Sequence, residues 1–90
     1  MTRQEIFQKI QAERDYQDQK WGTEFDDQNT INDWVAYINQ YASKATAEDT
    51  SGNMVVYLIK VAALALAAIE AHERNKGFAL RHYDDNQANQ

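Results

Sequence analysis

The sequence contains no cysteine and no proline, and only three glycines. Without cysteine there can be no disulfide staple, thiolate metal site or cysteine nucleophile, and a cytoplasmic setting fits better than a secreted one. Without proline the commonest helix breaker is missing, so long unbroken helices are allowed. Positive charge is also scarce: nine Lys and Arg stand against fourteen Asp and Glu, for a formal net charge of −5. A broad phosphate-neutralising surface for extended nucleic acid is therefore disfavoured, whereas a local basic pocket is not. The start, MTRQEIFQKI, carries charges where an export signal needs an apolar run. The longest apolar stretch, Met54 to Ile69, is shorter than the roughly 20 residues of a bilayer span and carries Lys60. It reads as a buried helix of a soluble chain with no membrane partner.

What is present is a composition that folds. Ninety residues, 43% hydrophobic and 26% charged, suit one small domain near the lower size limit for a self-sufficient core. Thr2 and Glu5 have capping-box spacing, so a first helix is expected over about 2–21, ended by Gly22. Its apolar stripe, Ile6 and Ile10, continues at the same spacing as Glu13 and Gln17. Residues 23–29 read as an acidic connection. Thr30 and Asp33 start a second helix over 30–47, whose apolar face carries Ile31, Trp34, Ile38 and Tyr41. After the turn-rich EDTSGN segment, with Ser51 or Asn53 as cap, a third helix runs over 53–76 and is apolar on nearly all sides. Two partner helices cannot enclose such a helix, so a homo-oligomer is expected. The reading is an all-α, three-helix protomer over 1–77 with a polar tail over 78–90.

Zinc-protease spacing, phosphate-loop glycines, the dinucleotide fingerprint and the nucleophile elbow are all absent. His72 and His82, the only histidines, read as solvated surface. Lys60 is more informative, because an ammonium inside an apolar run must pair with a carboxylate such as Glu13 or Glu70, snorkel, or face an anion. Glu13 and Gln17 likewise mark either a helix end emerging into solvent or one wall of a polar pocket. Trp21, Trp34, Tyr37, Tyr41 and Tyr57 offer flat faces on which a base could stack, although aromatics at helical spacing more often form core.

The strings E-R-D-Y-Q-D-Q-K-W-G, Glu13 to Gly22, and L-I-K-V-A-A-L-A-L-A-A-I-E, Leu58 to Glu70, resemble short phage and prophage proteins of the MazG-like group. That group belongs to the all-α nucleoside triphosphate pyrophosphohydrolases, helical oligomers whose active members use Mg²⁺ to cleave between the α- and β-phosphates. The resemblance spans about residues 5–74 and implies an oligomeric MazG-like bundle. The family signature, E-E-x-x-E on one helix and E-x-x-D on the next, supplies the hard oxygen ligands that Mg²⁺ requires. Aligned by the flanking strings, it falls here on Asn39, Gln40, Ser43, Tyr57 and Lys60, none of them acidic. No catalytic or metal-binding residue carries over, and no cofactor is expected.

The substituted positions instead make a donor set for a phosphate without metal: Asn39, Gln40, Ser43, Tyr57 and Lys60, helped by Arg14, Lys20 or Lys44. With Glu13, Gln17 and Trp21 completing the pocket, the resemblance implies non-catalytic binding of a nucleotide or nucleotide-derived signal. For a phage protein in the host cytoplasm, that suits a sponge sequestering cyclic-nucleotide or ADP-ribose-type immune signals. Two alternatives stand beside it. One is a Mg²⁺-dependent pyrophosphohydrolase with a site rebuilt from Glu13, Asp26, Asp27, Asp33 or Glu70; the other is a structural helical interaction module.

Overall fold

The computed structural model describes residues 1–47 and 53–84. Helix α1 spans Arg3–Lys20, α2 Gly22–Gln28, α3 Ile31–Ala47 and α4 Asn53–Asn75, with one further helical turn at 82–84. The described residues contain no strand, only an isolated bridge between Thr30 and Ala79. Ser51 and the end of the tail lie outside the described residues.

Both expected capping boxes form. Thr2 Oγ1 accepts from the Glu5 amide at 3.1 Å while Glu5 Oε1 accepts from the Thr2 amide at 3.0 Å. Thr30 and Asp33 repeat the exchange at 3.1 and 2.9 Å, so each pair satisfies two backbone donors that a helix start leaves open.

Residues 22–28 are helical, not an irregular connection. Gly22, at φ 83°, turns the chain, and the helix then resumes. Trp21 and Phe25, four residues apart, stack at 6.2 Å, and Asp27 ties α2 to α4 by accepting from Arg74 Nε at 3.1 Å and Asn75 Nδ2 at 2.9 Å. At the far end, Lys76 takes a left-handed φ of 56° and the Gly77 amide donates to the His72 carbonyl at 2.9 Å, closing α4. Beyond it, where a polar tail was expected from residue 78, the chain turns back onto the helices. Phe78 meets His72 edge-on at 4.9 Å and packs on the core, and Ala79 bridges to Thr30.

The core forms mainly between α3 and α4. Trp34, 2% exposed, sits against Leu64, Ala67, Ala68 and Ala71, with Tyr37, Ile38 and Tyr41 around it. Alanines on α4 let α3 approach closely enough to bury the indole. α1 joins in an unexpected way: its buried residues are Arg14 and Gln17, while Ile6 and Phe7 remain exposed. Met1, Ile6 and Ile10 instead face Val55, Leu58 and Ile59 across a shallow groove of about 220 Å³. α4 therefore keeps Val55, Val56, Leu58 and Ile69 exposed. By length and composition alone it could also cross a membrane, a test that the core helix of a globular protein passes as well.

Candidate functional site

Where α1, α2, α3 and α4 converge there is a cavity of about 190 Å³. α1 contributes Gln17, and Trp21 follows at its end; α2 contributes Phe25 and Asp26; α3 contributes Trp34, Tyr37, Gln40 and Tyr41; α4 closes the wall with Leu64 and Ala67. Spacing explains the convergence. Residues 37, 40 and 41 share one face of α3, and Phe25 and Asp26 point the same way as Trp21 only because residues 22–28 are helical.

The walls are aromatic, and two lining residues, Gln17 and Trp34, each keep a buried polar atom without a partner among the described residues. Gln17, 6% exposed, donates its Nε2 to Glu13 Oε2 at 3.2 Å, which leaves its buried Oε1 with no donor. Trp34 Nε1 is buried without an acceptor. Asp26, 9% exposed, receives no hydrogen bond at its carboxylate from the described residues, and burial raises its pKa above the ordinary 3.8 although the charge of Arg14 works the other way. A buried polar atom without a partner costs about 1–3 kcal/mol, so the two on Gln17 and Trp34 are a sizeable local expense for a small protein.

The positively charged groups divide into two sets. Arg14 donates from Nε to Glu70 at 2.9 Å and from Nη2 to Asp18 at 3.2 Å. Burial lowers its pKa, but these two hydrogen bonds outweigh burial and hold the guanidinium firmly charged. Lys60 Nζ lies 3.2 Å from Glu13 Oε2, so the ammonium in the apolar run has the carboxylate partner that its position demands. Lys20 and Lys44, in contrast, stand over cavity-lining rings: Lys20 Nζ is 4.8 Å from the Trp21 ring and Lys44 Nζ 5.0 Å from the Tyr41 ring.

The donor set expected from the sequence is therefore split. Gln17, Trp21 and Gln40 line the cavity, and Lys20 and Lys44 reach its lining rings. Arg14, Glu13 and Lys60 are held in ion pairs beside it. Tyr57 stacks on the Tyr41 ring at 6.3 Å. Asn39 and Ser43 are exposed outside the lining, so the anion pocket expected from Asn39, Gln40, Ser43, Tyr57 and Lys60 is not assembled as one unit.

The aligned positions carry no carboxylate, and among the described residues no three His, Asp or Glu side chains group closely enough to hold a metal ion. The carboxylates considered for a rebuilt site are engaged elsewhere: Glu13 with Lys60, Glu70 with Arg14, Asp27 with Arg74 and Asp33 in its capping box. Only Asp26 is free.

Phe25, Leu64 and Ala67 are the lining residues that sequence reasoning missed, and Asp26 was considered only for a rebuilt metal site. The Trp21–Phe25 spacing was the available signal, and it lay in a segment read as irregular. In comparisons with protein-family models, curated proteins and solved structures, the chain matches none.

Proposed function

We propose that the chain is a non-catalytic binder of a nucleotide or nucleotide-derived signal, with the base in the aromatic cavity and the phosphates outside it. The observation that carries this reading is the aromatic lining of the cavity, Trp21, Phe25, Trp34, Tyr37 and Tyr41, beside the polar residues Asp26 and Gln40. Such a lining is favourable around a planar heterocycle that offers hydrogen bonds. Size agrees: a void of roughly 150 Å³ takes up benzene. At about 190 Å³ the cavity has room for a fused heterocycle but not for its sugar and phosphates as well. Those groups would then extend to Lys20 and Lys44, whose ammonium groups have no carboxylate partner among the described residues. In a phage, binding without turnover would make the protein a cytoplasmic sponge for signalling nucleotides, within an oligomeric MazG-like bundle.

Both tryptophans of the chain line the cavity, so entry of a base reports directly in intrinsic fluorescence. Titration with nucleoside mono-, di- and triphosphates, with and without Mg²⁺, should quench this emission without product formation. Lys20→Gln/Lys44→Gln should weaken the phosphorylated ligands more than the free nucleosides. Unchanged emission and no calorimetric heat with every nucleotide at millimolar concentration would overturn the reading. Turnover with Mg²⁺ would replace it with the pyrophosphohydrolase.

A further inference from the structure

α4 carries a second apolar stripe, which the fold leaves uncovered. Its buried residues are Ala63, Leu64, Ala67, Ala68 and Ala71. On the opposite side of the helix Val55, Leu58, Leu66 and Ile69 are 42%, 56%, 38% and 59% exposed, with Ala62 in their midst. The stripe reads the same in both directions from Ala62: a leucine four residues away on either side, Leu58 and Leu66, and a β-branched residue seven away, Val55 and Ile69. Apolar positions repeating every seven residues keep one face of a helix turned towards a partner helix.

We propose that this stripe pairs with the same stripe of a second copy, the two α4 helices running antiparallel about a twofold axis at Ala62. Leu58 then meets Leu66 of the second copy, Val55 meets Ile69, and the small side chain of Ala62 lets the helices approach at the axis. Two features select antiparallel over parallel pairing. Beside Val55 lies the groove of about 220 Å³ that Met1, Ile6 and Ile10 form with α4, and antiparallel pairing brings to it Ile69 of the second copy, the most exposed residue of the stripe. Lys9 lines the adjoining groove with Val55 and Val56, while the Glu73 side chain is 79% exposed one turn beyond Ile69. Opposite charges therefore meet at both ends of an antiparallel pair, and like charges at both ends of a parallel one. The pairing gives the oligomer a surface and a register, and it is independent of what the cavity binds.

The chain has no cysteine, so introduced thiols report the register in the full protein. Ala62→Cys should cross-link between copies on mild oxidation, because a residue on the axis meets itself. Val55→Cys mixed with Ile69→Cys should give the mixed disulfide. Ile69→Cys alone should not cross-link, since its two copies would stand about 21 Å apart along the pair at 1.5 Å per residue. By sedimentation equilibrium Leu58→Glu and Leu66→Lys should each weaken the dimer about tenfold or more, and the double variant should regain it, as each glutamate then faces a lysine. Both positions are exposed, so circular dichroism should stay helical throughout. A monomer at millimolar concentration, a dimer indifferent to both charge variants, absence of the two expected cross-links, or self-cross-linking of Ile69→Cys overturns the proposal. So does a monomer that binds phospholipid vesicles through this face. Nucleotide titration of the same samples is read separately, so none of these results decides the cavity reading.

Discussion

Glu13 on α1 and Lys60 on α4 meet at 3.2 Å, and the same Glu13 carboxylate oxygen accepts from Gln17 Nε2. The ion pair therefore does two things at once: it fastens α1 to α4, and it holds in place the carboxylate that accepts from the Gln17 amide. Lys60→Met keeps the aliphatic stem and strands a half-buried carboxylate. A fully buried pair broken in this way costs about 3–5 kcal/mol. With the two side chains 25% and 17% exposed, a smaller loss of about 1–3 kcal/mol is expected. Chemical denaturation of Lys60→Met, Glu13→Gln and the double variant checks it: the double variant should be more stable than the sum of the single losses implies.

Asp26 and Asp27 are neighbours with opposite pH behaviour. Burial holds the Asp26 pKa above its unfolded value, so the ionised carboxylate opposes folding. That penalty is in force above the folded pKa and fades as pH falls through it towards the ordinary 3.8. Asp26→Asn should thus raise the melting temperature at pH 7, and the gain should vanish in acid.

The hydrogen bond from Arg74 holds the Asp27 pKa below its unfolded value, with Asn75 adding to the effect. Its contribution is present above pH 3.8 and lost as pH falls through the depressed folded value. Asp27→Asn should lower the melting temperature at pH 7 and lose its effect in acid, the reverse of Asp26→Asn. Melting curves of both variants from pH 3 to pH 8 would show the crossing.

Trp34 serves core and cavity together. Trp34→Ala should cost about 3–5 kcal/mol, as large aromatic deletions from a core do. Trp34→Phe keeps one of the two rings against the cavity, so it should destabilise less than alanine and weaken nucleotide binding only modestly. Denaturation and nucleotide titration on the same samples separate the two effects.

The exposed apolar residues Val55, Leu58 and Ile6, on adjoining parts of α4 and α1, lead to an expected self-association through a second copy of this chain. Light scattering should show a dimer or larger species at micromolar concentration, and Leu58→Glu should shift it towards monomer while the circular dichroism stays helical. A wild-type monomer would refute the interface.

The helix starts were legible because capping boxes are local. Thr2 with Glu5 and Thr30 with Asp33 are three residues apart, and both form where the spacing placed them. The periodicity of α3 also located the ring faces of Trp34, Tyr37 and Tyr41. What stayed hidden depends on distant partners. α2 is fastened by Asp27 to Arg74, and Arg14 is claimed by Glu70; no short pattern reveals either pairing. Asp26 was read as part of an acidic loop for the same reason. Lys60 had been matched with Glu13 as one of several options, and only the packing of α1 on α4 selected that one.

The face that α1 buries is Arg14 and Gln17, held by ion pairs with little hydrocarbon beneath them. Ion pairs and amides add less to net stability than the packed alanines and indole of α3 and α4, so α1 is expected to open more readily than that core. Its backbone amides should exchange with deuterated solvent faster than those near Leu64, and faster still as salt screens its pairs. The wall that carries Gln17 is therefore also the hinged side of the cavity. Ligand arrival and departure would be timed by how often one amphipathic helix loosens its electrostatic grip.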